Sequence, residues 1–378
     1  MIYKDFKGIK LSALGMGTMR YPVIDGDDSR IDKVQAEQMV DYAMKAGINY
    51  YDTAYGYHGE QSELVTGELL KKYDRNSFYL ATKFPGYDLG NMPKIKEIFD
   101  EQLAKCQVDY FDFYLVHNVC ELNVNQYLDP QHGIYEYLVE QKEQGRIKHL
   151  GFSIHGDMDC MKKFMSKYGD AMEFCQIELN YFDYHFQDAK AKVEYLRELN
   201  IPIWVMEPVR GGQLANLSPE HADRLLKARP DETVVSWALR FLQSFPDVTV
   251  VLTGSSNMQQ LMENIDTYKE LKPLNKEEMD IVLDIADEMI SKTAVACTSC
   301  RYCISHCPKE LNIPFLLKQY NEACVAGSGD FIAPMALASL ESDKQPECCI
   351  SCGSCEQVCP QQLKISEHLA AFTKKLGR

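Results

Sequence analysis

The sequence lacks the features of a membrane or secreted protein. Its opening segment, MIYKDFKGIKLSALG, has no apolar run followed by a small-residue cleavage site. No stretch approaches the roughly 18 uncharged apolar residues that a membrane span needs. Basic residues are few, because 40 Lys and Arg stand against 55 Asp and Glu. The resulting net charge of -15 disfavours binding to nucleic-acid phosphates. We therefore expect a cytoplasmic protein with neither a membrane nor a nucleic-acid partner.

A dinucleotide-binding fingerprint is also missing, since Gly15 and Gly17 are not followed by the third glycine of G-x-G-x-x-G. What the chain does have is length and apolar content. Its 378 residues, 46% of them hydrophobic, suit one large domain and one small one.

Short apolar runs alternate with amphipathic segments through the first three quarters of the chain. The predicted strands are Leu11–Gly15, Asn49–Asp52, Phe78–Lys83, Phe111–His117, His149–Ser153, Phe174–Leu179, Ile203–Met206 and Val250–Thr253. The predicted helices are Ile31–Ala46, Ser62–Lys72, Met92–Cys106, Ile134–Gln144, Met158–Tyr168, Phe186–Leu199, Val234–Phe245 and Met258–Lys269. This alternation predicts an α/β fold with parallel strands, and its length and count favour a (β/α)8 TIM barrel over a doubly wound sheet.

The character of the sequence changes after a further amphipathic helix, Lys276–Lys292. Cysteines become frequent, helical periodicity fades, and Pro308 and Pro314 interrupt the chain. We place the domain boundary there, with the barrel at residues 1–292 and a small domain at residues 293–378.

Eight of the 14 cysteines form two copies of one motif, C-x2-C-x2-C-x3-C-P. Three closely spaced thiolates can surround one [4Fe–4S] cluster, and in the bacterial two-cluster pattern the fourth ligates the other cluster. A zinc site is the alternative, but two complete copies with matching prolines favour clusters. The first cluster takes Cys297, Cys300, Cys303 and Cys359, and the second takes Cys349, Cys352, Cys355 and Cys307. The long, helical stretch between the motifs resembles the helical variety of two-cluster ferredoxin domain that occurs fused to larger oxidoreductases.

Four polar side chains lie at or just after the ends of predicted strands, where the active sites of barrels lie. They are Asp52, Tyr57, Lys83 and His117. A tyrosine can give a proton to a carbonyl oxygen if a nearby ammonium lowers its pKa and a carboxylate holds that ammonium. An imidazole can orient the carbonyl. Together these groups indicate carbonyl reduction.

With these residues, the chain resembles the aldo-keto reductase family over residues 1 to 290. The segment DTAYGY at 52–57 carries the family's aspartate and tyrosine, and Lys83 and His117 match its lysine and histidine. The resemblance implies that Tyr57 donates the proton, Lys83 tunes its pKa, Asp52 anchors the lysine and His117 orients the substrate. Tyr55 is a rival for the donor role, although the family's spacing favours Tyr57.

The resemblance also implies a nicotinamide cofactor, either NADP(H) or NAD(H). Ser153 and Asn180 resemble the pair that holds the carboxamide, and Gln176 is a further candidate. The pyrophosphate and nucleotide contacts fall on Pro208, Arg210, Gly211, Gly254, Ser255, Ser256, Gln260, Glu263 and Asn264. Gln260 stands where many members have an arginine for the 2′-phosphate. This leaves NADH open, unless Arg210 supplies the charge.

Three functions are compatible with these features. In the first, an oxidoreductase interconverts a carbonyl and an alcohol, and its iron–sulfur domain transfers electrons. In the second, the clusters only stabilise a small domain. In the third, the protein is an electron carrier or sensor with the barrel as a scaffold. We expect a small-molecule carbonyl or alcohol substrate and consider a redox partner protein. No motif indicates a flavin, which stays an open alternative.

Overall fold

A computed structural model describes residues 1–293, 295–297, 300–301, 303–326 and 331–378. The chain divides into two compact units, one of Met1–Val119 with Asn123–Ile285 and one of Cys120–Leu122 with Ala286–Arg378. The strands are β1 Tyr3–Phe6, β2 Ile9–Ser12, β3 Leu14–Gly17, β4 Tyr50–Asp52, β5 Tyr79–Phe84, β6 Phe111–Val119, β7 Ile147–Ile154, β8 Phe174–Glu178, β9 Ile203–Met206 and β10 Val248–Thr253.

Strands β3 to β10 are parallel and close into a barrel, with β10 pairing with β3. The predicted (β/α)8 barrel is therefore confirmed. The first predicted strand, Leu11–Gly15, was wrong in its bounds. It joins the end of β2 to the start of β3, because an antiparallel hairpin of β1 and β2 precedes the barrel. Lys7 and Gly8 form the hairpin turn with positive φ angles of 51° and 86°.

Helices alternate with the barrel strands. In the first unit they are α1 Lys33–Lys45, α2 Gln61–Leu70, α3 Ile95–Cys106, α4 Val124–Leu128, α5 Ile134–Glu143, α6 Met158–Tyr168, α7 Asp183–Phe186, α8 Ala189–Glu198, α9 Pro219–Ala228, α10 Val234–Gln243 and α11 Met258–Thr267, followed by α12 Lys276–Thr293 across the unit boundary. Buried side chains line one side of these helices, for example Met161, Phe164 and Tyr168 on α6. Helix α6 thus covers the barrel with an apolar face.

Aromatic side chains fill the barrel interior. Tyr50, Phe113, Phe174 and Trp204 come from four strands and are fully buried. Phe6 of the hairpin packs against this group, with its ring 5.1 Å from Trp204 and 5.7 Å from Phe113. The interior is therefore a packed core, and functional groups have to lie at its carboxyl-terminal rim.

The second unit is mainly helical. Its helices include α13 Ile313–Val325, α14 Ile332–Leu337, α15 Ser354–Gln357 and α16 Ile365–Lys375. Leu316, Leu369 and Phe372 form its core together with the buried Cys303 and Cys355. The stretch between the two cysteine motifs, which the sequence predicts to be helical, contains α13 and α14. Among the helices that the structure describes, none is both long and apolar enough to cross a membrane.

Candidate active site

A buried ion pair lies at the carboxyl ends of β4 and β5. Lys83 Nζ is 2.6 Å from Asp52 Oδ1 and donates a second hydrogen bond of 2.7 Å to the Thr53 carbonyl. Both side chains are almost fully buried. Burial raises the pKa of Asp52 and lowers the pKa of Lys83, and their mutual attraction opposes both shifts. The structure therefore brings these two predicted residues into direct contact.

Tyr57 follows β4 and lies beside this pair. Lys83 Nζ is 5.2 Å from the centre of its ring. Burial raises the pKa of Tyr57 well above its usual value, and the nearby Asp52 carboxylate raises it further. Tyr57 therefore keeps its phenol proton. The rival Tyr55 is directed elsewhere, since its hydroxyl donates to Glu101 Oε2 at 3.1 Å.

His117, near the end of β6, also lies beside Tyr57. The two ring centres are 6.2 Å apart. Burial lowers the pKa of His117 well below its usual value, and the nearby Lys83 lowers it further, so the imidazole is neutral. Its Nδ1 atom is buried and has no hydrogen-bond partner in the described parts of the chain. Tyr87, which the sequence analysis did not select, packs edge-on against His117 at 5.3 Å.

The predicted carboxamide-binding residues occupy neighbouring strand ends. Ser153 and Gln176 are register partners in β7 and β8, and both are buried. The side-chain oxygen of Gln176, Oε1, is buried and has no hydrogen-bond partner in the part of the chain that the structure describes. Asn180 differs, because its amide donates to Asp183 Oδ2 and to the Glu207 carbonyl. Its carbonyl oxygen accepts two backbone N–H bonds.

The side chain of Asn180 therefore has no capacity left for a ligand, and its predicted role is corrected. It stabilises the turn after β8. The predicted roles of Ser153 and Gln176 stay predictions, and the Ser153 hydroxyl already accepts the Asn118 N–H at 2.8 Å.

The loop after β9 combines two consecutive glycines in the left-handed region with an arginine that is paired with a carboxylate. Gly211 and Gly212 have φ angles of 61° and 97°, and Pro208 before them is buried. Arg210 is buried, and its Nε atom lies 3.0 Å from both carboxylate oxygens of Asp183. Its guanidinium also lies over the Phe182 ring. The suggestion that Arg210 supplies charge for a 2′-phosphate is therefore corrected, because this side chain fastens the loop.

The loop after β10 is held by its own side chains. Asn264 Nδ2 donates to Ser255 Oγ at 3.1 Å and to Thr253 Oγ1 at 2.8 Å. Gln260 accepts the Ser256 N–H at 2.8 Å. The acid Glu263 is nearby and accepts from the Gln259 amide. The stretch 254–264 contains neither lysine nor arginine, so its side chains bring no positive charge to a nucleotide phosphate.

Arg20 is a residue that the sequence analysis missed. It follows β3, and its Nη2 atom lies 3.8 Å from Glu207 Oε1. A Cβ atom added at Gly254 would lie 3.2 Å from the Arg20 side chain, and one at Gly211 would lie 3.5 Å away. The Arg20 side chain therefore lies beside both Gly211 and Gly254. The sequence feature that could have indicated Arg20 is its position just after the first barrel strand.

The second unit contains two cavities lined by cysteines. The first is lined by Cys297, Cys300, Cys303 and Cys359, and the second by Cys307, Cys349, Cys352 and Cys355. Each cavity thus combines three cysteines of one motif with the fourth of the other. Four thiolates around one cavity fit a [4Fe–4S] cluster. Cys348 lines neither cavity, and its thiol lies 3.4 Å from the Ser342 carbonyl.

Residues 13–287 match the family model of the aldo/keto reductase family, and residues 296–365 match that of the 4Fe-4S dicluster domain. The L-galactose dehydrogenase of Arabidopsis thaliana is 24% identical over 292 residues, which cover 72% of this chain and 88% of that protein. The NADH-specific methylglyoxal reductase of Escherichia coli is 24% identical and covers 68% and 90%. An aldo-keto reductase structure from Bacillus halodurans in its holo form has a TM-score of 0.60 at 23% identity and covers 75% and 96%.

Proposed function

Because this chain belongs to the aldo/keto reductase family, we propose that it interconverts an aldehyde or ketone and the corresponding alcohol, with a nicotinamide cofactor supplying or accepting the hydride. The observation that carries this proposal is the buried Lys83–Asp52 pair beside Tyr57 and a neutral His117. A phenol, an imidazole and an ammonium at one rim can bind a carbonyl oxygen and protonate it.

Each side chain has a distinct part in this proposal. Tyr57 holds its proton because burial raises its pKa, and it gives that proton to the carbonyl oxygen as charge develops there. Neutral His117 donates a hydrogen bond that orients the same oxygen. Asp52 fixes Lys83, whose ammonium stabilises the phenolate that Tyr57 becomes. Ser153 and Gln176 hold the carboxamide of the nicotinamide.

We propose NADH rather than NADPH as the cofactor. The buried Arg210 and the stretch 254–264, which contains neither lysine nor arginine, support this choice. Gln260 is hydrogen-bonded to the Ser256 backbone instead of presenting a charge. A relative that covers 68% of this chain is an NADH-specific methylglyoxal reductase, which makes methylglyoxal a suitable first substrate.

We propose that the two cysteine-lined cavities hold [4Fe–4S] clusters that transfer electrons, to the barrel or to a redox partner protein. A bound cluster supplies one-electron chemistry. The matched dicluster domain at residues 296–365 supports the presence of clusters. In the competing role the clusters only stabilise the small unit. The third candidate, a carrier or sensor with an inert barrel, is disfavoured by the intact Lys83–Asp52 pair.

The test of the reductase is a comparison of Tyr57→Phe with Tyr55→Phe. We expect the wild type to oxidise NADH with methylglyoxal, and to use NADPH less efficiently. Tyr57→Phe should lower kcat by about 10²- to 10⁴-fold, because it removes the proton donor. The kcat of Tyr55→Phe should stay near the wild-type value, because the Tyr55 hydroxyl contacts Glu101 instead.

Equal activities of Tyr57→Phe and wild type would reject the proposed donor. The absence of nucleotide oxidation with methylglyoxal and with a panel of other aldehydes and ketones would favour the carrier or sensor function.

A further inference from the structure

A buried carboxyl group lies behind the strand that carries Lys83. Glu63 belongs to the first turn of α2, and its side chain is inaccessible to solvent. Its Oε1 atom accepts hydrogen bonds from the Thr82 hydroxyl at 2.5 Å and from Gln102 Nε2 at 2.7 Å. Its Oε2 atom is buried without a hydrogen-bond partner in the described ranges. Such a half-satisfied carboxylate is costly to keep charged.

The same hydrogen bonds reach the backbone of Lys83. Gln102 Nε2, which donates to Glu63, lies 3.0 Å from the Lys83 carbonyl oxygen. Gln102 Oε1 is fixed in turn by the Tyr114 hydroxyl at 2.7 Å. Side chains alternate along a strand, so Thr82 faces Glu63 while Lys83 faces the rim. The Glu63 carboxyl group therefore contacts one face of β5, and the Lys83 side chain projects from the opposite face.

The charged and titratable groups around Glu63 come from three further elements and one loop. They are Lys83 on β5, Lys105 and Cys106 on α3, Tyr114 on β6 and Tyr87 after β5. Burial raises the pKa of Glu63 to about 7, although the two hydrogen bonds and the two lysines oppose this shift. The charge of Glu63 therefore changes in the neutral pH range.

We infer that Glu63 is a positioning residue of the rim: its carboxylate stabilises the Lys83 ammonium, and protonation withdraws that stabilisation and alters the Gln102 bond to the Lys83 backbone. The carboxylate form favours the ammonium by Coulomb attraction through a poorly screened interior. Only the catalytic consequence of this coupling rests on the proposed function.

The direct test follows the Lys83 ammonium by NMR in the complete, cluster-containing protein labelled with ¹⁵N-lysine. A buried, hydrogen-bonded ammonium exchanges its protons slowly, and Lys83→Arg identifies its signal. From about pH 5 to about pH 9, the nitrogen shift of the wild type should pass through one inflection in the neutral range. In Glu63→Gln, which has no titrating group at this position, the shift should not inflect.

The matched control is Glu68→Gln, because Glu68 lies on the same helix but is exposed and paired with Lys33. It should keep the inflection. A persistent inflection in Glu63→Gln, or none in the wild type, would overturn the inference. If Glu63→Gln does not fold, Gln102→Leu decides: loss of a donor to the carboxylate should move the inflection to higher pH, and an unmoved midpoint would reject the coupling.

The catalytic readout is the pH dependence of kcat with NADH and methylglyoxal. Glu68→Gln should follow the wild-type profile, and Glu63→Gln should lack the step in the neutral range. An inactive wild type would count against the proposed reductase alone, because the NMR titration needs no substrate.

Discussion

At the residue scale, the contact between Lys83 and Asp52 is a pair of charges with almost no access to water. Such a pair is stable only while both partners are present, because either charge alone is buried without compensation. Burial already shifts both pKa values toward the neutral forms. The stability of the barrel is therefore tied to the residues that we propose for its chemistry.

We expect Asp52→Asn to lower the free energy of unfolding by about 3–5 kcal/mol, because it leaves the Lys83 ammonium buried alone. The double variant Asp52→Asn/Lys83→Met should recover a large part of this loss. The exposed pair of Lys33 and Glu68 is the control, and Lys33→Ala should cost less than about 1 kcal/mol. Anaerobic urea unfolding measures all three. Equal costs for Asp52→Asn and Lys33→Ala would contradict this account of the pair.

Single residues differed in how far the sequence could place them. The common position of Asp52, Lys83 and His117 at one rim could be predicted because a strand end fixes where a side chain emerges. Asn180 and Arg210 were assigned to a ligand, but both side chains turn to Asp183, a partner that only the folded chain brings near. The sequence could not single out Glu63 for the same reason. Its partners Thr82 and Gln102 come from β5 and α3 and meet it only in the folded chain.

At the element scale, α2 and α3 pack so closely at Gly67 that no side chain fits there. A Cβ atom added at Gly67 of α2 would lie 2.7 Å from backbone atoms of Lys105 and Cys106. Backbone atoms at a helix end cannot move aside as a flexible side chain does. Gly67 thus sets the spacing of the two helices that carry Glu63 and Gln102.

We expect Gly67→Ala to lower the free energy of unfolding by about 1–3 kcal/mol, because overpacking forces α2 away from α3. Gly169→Ala is the matched control, since its added Cβ would meet only the end of the Met165 side chain at 3.4 Å. Urea unfolding of both variants measures the difference. A Gly67→Ala protein as stable as Gly169→Ala would show that the helices can separate without cost.

Hydrophobic periodicity located most elements of the barrel. Its strands are short apolar runs, and most of its helices show amphipathic spacing. Met158–Tyr168 and Ile203–Met206 were predicted with the bounds that the structure has. The hairpin of β1 and β2 was missed, since its Lys7–Gly8 turn is not one of the strong turn pairs. Helix α9 was missed because only His221 and Leu225 of its residues are buried.

At the scale of the whole molecule, a unit of the aldo/keto reductase family and a 4Fe-4S dicluster domain occur in one chain. A hydride carries two electrons, whereas a [4Fe–4S] cluster accepts one. The two clusters that we propose would together accept the two electrons of one nucleotide oxidation, which a single cluster would not. Each of the eight motif cysteines lines only one of the two cavities. Replacing one cysteine should therefore affect one cluster first.

We expect anaerobic EPR to separate these roles in the wild type, Cys359→Ser and Cys348→Ser. With dithionite, Cys359→Ser should lose or alter the signal of one cluster, because Cys359 lines the first cavity. Cys348→Ser should match the wild type, since Cys348 lines neither cavity. With NADH, a reduced-cluster signal in the wild type would support transfer from the nucleotide. No such signal, while methylglyoxal still oxidises NADH, would leave the clusters a structural role or a separate redox partner.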